Sequence, residues 1–195
     1  MSPRDALAIG RTSIWLGIAA NVLLRATIGY FLYEVLRYPD DPRFAGKAIP
    51  IRNLVIVGGM SLLVPAMHFG LRRWKRYPLW TDDLWLSLFW LDMAGNSFDL
   101  YDTYTHFDLI PHFHGTGAAT VTIAVLSRMT DARALLIGNG VHALLEVQEL
   151  LTDVFGGTHN VRGSTDTLGD VVFGLLGSLT YVRLFRGLRR ETARP

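Results

Sequence analysis

The residues that could do chemistry lie in the second half of the chain. His106, Asp108 and His112 fall within one short stretch, Glu146 and Glu149 stand three apart, and Asp166 and Asp170 stand four apart. The chain has no cysteine, which removes thiolate ligands, cysteine nucleophiles and disulfides from consideration. Carboxylates and imidazoles without thiols suit a hard or borderline divalent metal: Zn, Mn, Fe or Mg. Pairs at i and i+3 or i+4 on facing helices are how helical bundles build such sites. The same groups suit metal-free acid–base work, because crowded carboxylates cannot all ionise. They also suit a proton or cation pathway. A fourth reading is structural, with some groups at a water interface and others paired with Arg25 or Arg162.

One stretch concentrates the question. Gly140 to Asp153 is apolar enough for a buried helix, yet it carries His142, Glu146, Glu149 and Asp153 at spacings of four, three and four. At 3.6 residues per turn these side chains share one face. The pair Glu146-x-x-Glu149 fits the geometry of a carboxylate site. His142 lies a turn deeper, in a supporting or packing role, and Asp153 reads as interfacial.

The elements that must position these groups read as membrane helices. Half of the 195 residues are apolar and 18% are charged, against about 25% charged in soluble domains. The reading is an all-α polytopic integral membrane bundle of about six transmembrane helices, a single domain over residues 1–195. The spans are expected near 13–36, 51–70, 83–101, 111–128, 134–155 and 165–184. The first apolar segment is long, is interrupted by Asn21 and Arg25, and lacks a small-x-small site after it. It therefore reads as a retained helix and not as a cleaved leader. A net charge of +2 is too small to suggest nucleic acid.

Basic residues set the orientation. Arg72, Arg73, Lys75 and Arg76, then Arg128 and Arg133, then the tail from Arg186 to Arg194 all fall on one side. The other side receives only Arg37, Arg43, Lys47, Arg52 and Arg162. The positive-inside rule places both termini in the cytoplasm of an inner cell membrane. The polar ends of the third to sixth spans then meet toward the outer leaflet, roofed by the loops 102–110 and 156–165. Asn21 and Arg25 share a mid-membrane face, and Asp92 is the expected partner of Arg25. Asp92, Asn96 and Asp99 are expected on one face of the third span.

A family resemblance rests on these residues. His106-Phe-Asp108-Leu-Ile-Pro-His112-Phe113 resembles the H-[YF]-D-x-x-x-H-F motif of the YjdF-type inner membrane proteins, a family without an assigned reaction. Glu146-Val-Gln-Glu149 is similar to its E-x-x-E. Gly157-Thr158 followed by Asp166-Thr167-Leu-Gly-Asp170 is similar to its G-T … D-T-x-x-D ending. The match covers about residues 85 to 182, with an Asn-Val-Arg insert after Thr158 and nothing matched before Asp83. The resemblance implies the fold and the site residues His106, Asp108, His112, Glu146, Glu149, Asp166 and Asp170. It implies no chemistry.

The leading reading is a metal-dependent membrane hydrolase or transferase acting on a lipid or lipid-linked phosphate. His106, Asp108, His112, Glu146 and Asp170 are its candidate ligands, Glu149 or Asp166 its general base, and Arg162 its phosphate contact. No Ser-His-Asp or phosphate-loop signature narrows the reaction. The alternatives are a transporter or channel coupled to protons or divalent cations, and a non-catalytic membrane subunit. The mostly apolar inner halves of the last three spans favour a pocket open on one side.

Overall fold

The computed structural model describes residues 3–45, 47, 49–71, 77–161 and 163–186, all of them helical or in turns and connections, with no strand among them. The basic loop from Arg72 to Arg76, the tail beyond Arg186, and Arg162 lie outside the described residues. The helices are α1 (Pro3–Arg37), α2 (Ile49–Arg52), α3 (Leu63–Pro65), α4 (Leu79–Ser97), α5 (Leu100–Thr103), α6 (Leu109–Ser127), α7 (Asp131–Gly156) and α8 (Ser164–Leu184). Two π-helical stretches, Asn53–Gly58 and Ala66–Gly70, continue α2 and α3.

Four segments are long and apolar enough to cross a membrane: Ser13–Arg37, Asn53–Gly70, Leu109–Ser127 and Thr165–Leu184. They match the first, second, fourth and sixth expected spans. α4 and α7 are long enough, at 19 and 26 residues, but acidic residues interrupt their apolar runs. Beside an apolar core, many large apolar side chains are exposed and several polar ones are buried. Leu136, Leu144, Val154 and Phe155 face outward, while Thr116, Thr120, Asn96, Ser178, His142, Glu146 and Asp170 are buried. Such a surface suits a lipid solvent.

In lipid, apolar burial gives little drive for helix association, so close packing and polar pins must supply it. Glycines make the close packing. α6 and α8 meet where a Cβ on Gly177 would run into the Phe113 carbonyl and one on Gly117 would stand 2.7 Å from the Tyr181 ring. α7 approaches α6 where Gly138 abuts Thr120. α1 and the second span pack on α4 through Ile28, Phe31, Val57, Val64, Leu86, Phe89 and Met93.

The second span breaks between its π stretches, and the break has named remedies. Free carbonyls at membrane depth must find donors. Trp85 donates its indole N–H to the Met60 carbonyl at 2.7 Å, and Arg25 donates to the Ser61 carbonyl at 3.0 Å.

The partner expected for Arg25 is corrected here. Arg25 pairs with Asp82 at 2.6 Å, not with Asp92. Asn21 donates to both Asp82 and Asp83 at 2.7 Å, and Tyr77 donates to Asp82 at 2.5 Å. The reason is a shift in α4, which begins at Leu79 and so brings Asp82 and Asp83 inside the bundle opposite α1. The same shift ends α4 at Ser97. Asp99 then takes a left-handed conformation, φ 57°, between α4 and α5, and leaves the face it was expected to share with Asp92 and Asn96. Aspartate is among the few residues that tolerate this geometry.

Outside the spans, Arg43 clasps the α1–α2 connection. It pairs with Glu34 and Asp41 at 2.9 Å and donates to the Ser97 carbonyl at 2.6 Å. Hydrogen bonds from the Arg43 side chain and backbone hold the Asp41 carboxyl at about 2. A depressed carboxylate contributes its stabilisation above its ordinary range and loses it only as pH falls through the folded value. The clasp therefore persists in mild acid.

Candidate functional site

The site is built around one imidazole. His112 sits in the first turn of α6, one turn after Asp108, and its two ring nitrogens face two groups of ligand-type atoms. On one edge, Nδ1 lies 2.8 Å from Nε2 of His142 and 3.3 Å from Oε1 of Glu146. On the other edge, Nε2 lies 3.3 Å from Oδ1 of Asp108 and 3.7 Å from Oδ1 of Asp170. His142 and Glu146 are an i,i+4 pair on α7, with Nε2 to Oε1 at 3.2 Å. Each group, His112–His142–Glu146 and Asp108–His112–Asp170, has its ligand atoms within 4.8 Å of one another and could hold a metal ion.

Three helices position these groups. α7 presents His142 and Glu146 on its inward face. α8 brings Asp170 alongside and makes room for His142 with Gly174, where a Cβ would strike the imidazole and stand 2.9 Å from Thr116 Oγ1. Glu146 and Asp170 are 5% and 4% exposed. Glu146 Oε1 and Asp170 Oδ1 receive no hydrogen bond. Their polar neighbours are ring nitrogens, those of His112 and His142 at 3.3 and 3.2 Å from Glu146 and that of His112 at 3.7 Å from Asp170, and a charged carboxylate buried this deeply needs a proton or cation close by.

A second ion-paired group adjoins the first. Arg52, at the end of α2, lies 3.3 Å from Asp92 of α4 and 3.5 Å from Glu149 of α7. Tyr101 donates to the same Asp92 at 3.0 Å. Glu149, one turn along α7 from Glu146, is therefore held by a guanidinium.

Both groups open onto a cavity of about 560 Å³. One wall is polar: Arg52, Asp92, Asp108, His112, His142, Glu146 and Glu149. The opposite wall and floor are apolar: Ile56, Val57, Met60, Trp85, Leu88, Phe89, Ala119, Val141 and Leu145. Ile56, Val141 and Leu145 line the cavity and are exposed. Lys47 and Asp102, paired at 2.5 Å, lie at the mouth with His159 and Asn160.

Asp153 is the latch of that mouth. It accepts from the Asn160 and Val161 backbone N–H groups at 2.9 and 2.7 Å, and from Thr158 Oγ1 at 2.5 Å. Gly157, at φ 66°, ends α7 and turns the chain into this loop. Asp153→Asn should raise hydrogen exchange across residues 157–161 while leaving exchange in α7 unchanged. Equal protection in both proteins would show that the latch does not hold the loop.

Of the sequence-predicted residues, Asp108, His112, Glu146 and Asp170 are brought together. His106 is exposed on the α5–α6 connection, outside both groups. Asp166 occupies the first turn of α8, also outside both groups, and Arg162 lies outside the described residues. Two participants were missed. His142 is legible as the i,i+4 partner of Glu146 but reads from the sequence as a supporting or packing residue. Arg52 looked like a loop cation. The signal that could have found it is its place, one residue inside an apolar span.

No family model matches the chain, and no curated protein and no solved structure matches it.

Proposed function

We propose that this is a membrane-embedded, metal-dependent hydrolase or transferase acting on a lipid or lipid-linked phosphate, a member of the YjdF-type family in inner-membrane topology. α4 and α7 join the four apolar segments as the third and fifth of six spans, with both termini cytoplasmic and the cavity mouth toward the outer leaflet. The observation that carries the reading is the cavity itself. It brings His112, His142 and Glu146 together with an apolar lining that includes the exposed Ile56, Val141 and Leu145. A ligand with a charged head and a hydrocarbon tail matches both walls.

His112, His142 and Glu146 would hold a divalent cation, which would supply Lewis-acid activation of a phosphate ester and of water. Glu149 is the candidate general base, and Arg52, its partner here, is the anion contact earlier expected of Arg162. Four carboxylates against one arginine give this wall an excess of acidic groups, so a bound cation would favour phosphate entry.

Elemental analysis tests the reading. Wild-type protein purified gently in detergent should carry metal, and Glu146→Gln should lose most of it together with lipid phosphate turnover. Wild-type protein free of metal would sink the proposal.

One observation favours transport as a second reading. Ser87, His114 and Tyr181 form a hydrogen-bonded chain across α4, α6 and α8, at 2.9 and 2.6 Å, and the Arg25–Asp82 group lies beyond it on α4. The apolar floor at Trp85, Leu88 and Phe89 weighs against a continuous path. Proton or cation flux in proteoliposomes, abolished by His114→Ala, would establish transport in place of the enzyme.

A further inference from the structure

The geometry points to two cation positions bridged by the His112 ring, with different duties. This rests on the metal-dependent reading above and goes beyond it in number, arrangement and role. The ligand-type atoms stand on opposite edges of one imidazole: His142 and Glu146 at Nδ1, Asp108 and Asp170 at Nε2. One ion cannot touch both nitrogens of one ring. No described group of neighbouring ligand atoms unites Glu146 with Asp170. Yet each edge has its own buried carboxylate oxygen without a hydrogen bond, Oε1 of Glu146 on one side and Oδ1 of Asp170 on the other. A single ion would touch one of these and leave the other to the imidazole alone.

The donor set agrees. Asp108, Glu146 and Asp170 set three carboxylates around the ring, and Arg52 is paired instead with Asp92 and Glu149. Ligation at both nitrogens would require the ring to give up its remaining proton to solvent.

The cavity separates the duties. All of the Nδ1 group, His112, His142 and Glu146, lines it; of the Nε2 group Asp108 also lines it and Asp170 does not. An ion at Nδ1 would face substrate with every ligand. An ion at Nε2 would lie at the cavity's edge, tie α8 to the start of α6, and orient His112 from its far side, as outer partners of metal-bound histidines do. The imidazole holds the ions too far apart for both to clamp one phosphoryl group, as the close pairs of two-metal enzymes do.

The test uses full-length protein in detergent, saturated with Mn²⁺, stripped of loose metal and examined by elemental analysis and electron paramagnetic resonance. The wild type should retain two ions per chain and give the spectrum of a magnetically coupled pair. His142→Ala and Asp170→Asn should each retain one ion with an uncoupled spectrum, and His112→Ala should retain none tightly. Wild-type protein holding a single uncoupled ion overturns the bridged pair but leaves the metal-enzyme reading standing. Wild-type protein holding no ion overturns both. Should a variant fail to elute as a monodisperse species, the wild-type stoichiometry and spectrum decide alone.

Discussion

Gly177→Ala is expected to lower the melting temperature of the detergent-solubilised protein by several degrees, and Gly177→Leu to give no folded protein. On an open helix surface, glycine to alanine stabilises by about 0.5–1 kcal/mol. At Gly177 the added carbon would collide with the Phe113 carbonyl oxygen and lie 2.6 Å from its carbon. The obstacle is backbone and cannot swing aside, so the helices must part. Overpacking of this kind costs about 1–3 kcal/mol or more, which exceeds the propensity gain. The loss is amplified in lipid, where contact between small residues supplies much of the helix association. It also reaches the site, because α6 carries His112 and α8 carries Asp170. Gly29 is the control: nothing lies within 4 Å of a Cβ there, so Gly29→Ala should be neutral or mildly stabilising. Matching melting curves for the two variants would remove the claim that α6 and α8 are locked at Gly177.

The second large effect is expected from Arg25→Met. Asp82 is fully buried and takes its main compensation from Arg25 at 2.6 Å. Removing one partner of a buried pair typically costs about 3–5 kcal/mol. Arg25 is 29% exposed, so solvent screening moves the expectation toward the lower end. Even about 3 kcal/mol is a large share of a stability of about 5–15 kcal/mol. The loss should come from the charge left behind. Arg25→Met combined with Asp82→Asn should therefore recover most of the melting temperature. No recovery in the double variant would mean that Arg25 acts through its bond to the Ser61 carbonyl, which holds the break in the second span.

Much of the architecture was legible because the membrane imposes a one-dimensional rule. An apolar run of sufficient length must be a helix, since no other backbone satisfies its polar groups in hydrocarbon. The expected spans and the observed helices consequently agree within a few residues over α6, α7 and α8 and at the end of α1, which starts ten residues before its expected span. α4 is displaced at both ends, expected over 83–101 and observed over Leu79–Ser97. The aspartates at its start read as a water boundary, because the sequence does not reveal that Asn21, Arg25 and Tyr77 wait to receive them.

The site divides in the same way. Helical spacing alone determined that Glu146 shares a face with His142 and that Asp108 sits one turn before His112, because those relations depend only on 3.6 residues per turn. The tertiary structure alone decided which faces meet. It placed His112 between α7 and α8, assigned Asp92 to Arg52 and Asp82 to Arg25, and turned Asp153 into a loop latch. It left His106 exposed. Partner choice in a bundle depends on helix rotation and depth. Those are set by where Gly117, Gly138, Gly174 and Gly177 allow backbones to approach, and a spacing pattern along one chain carries no such information.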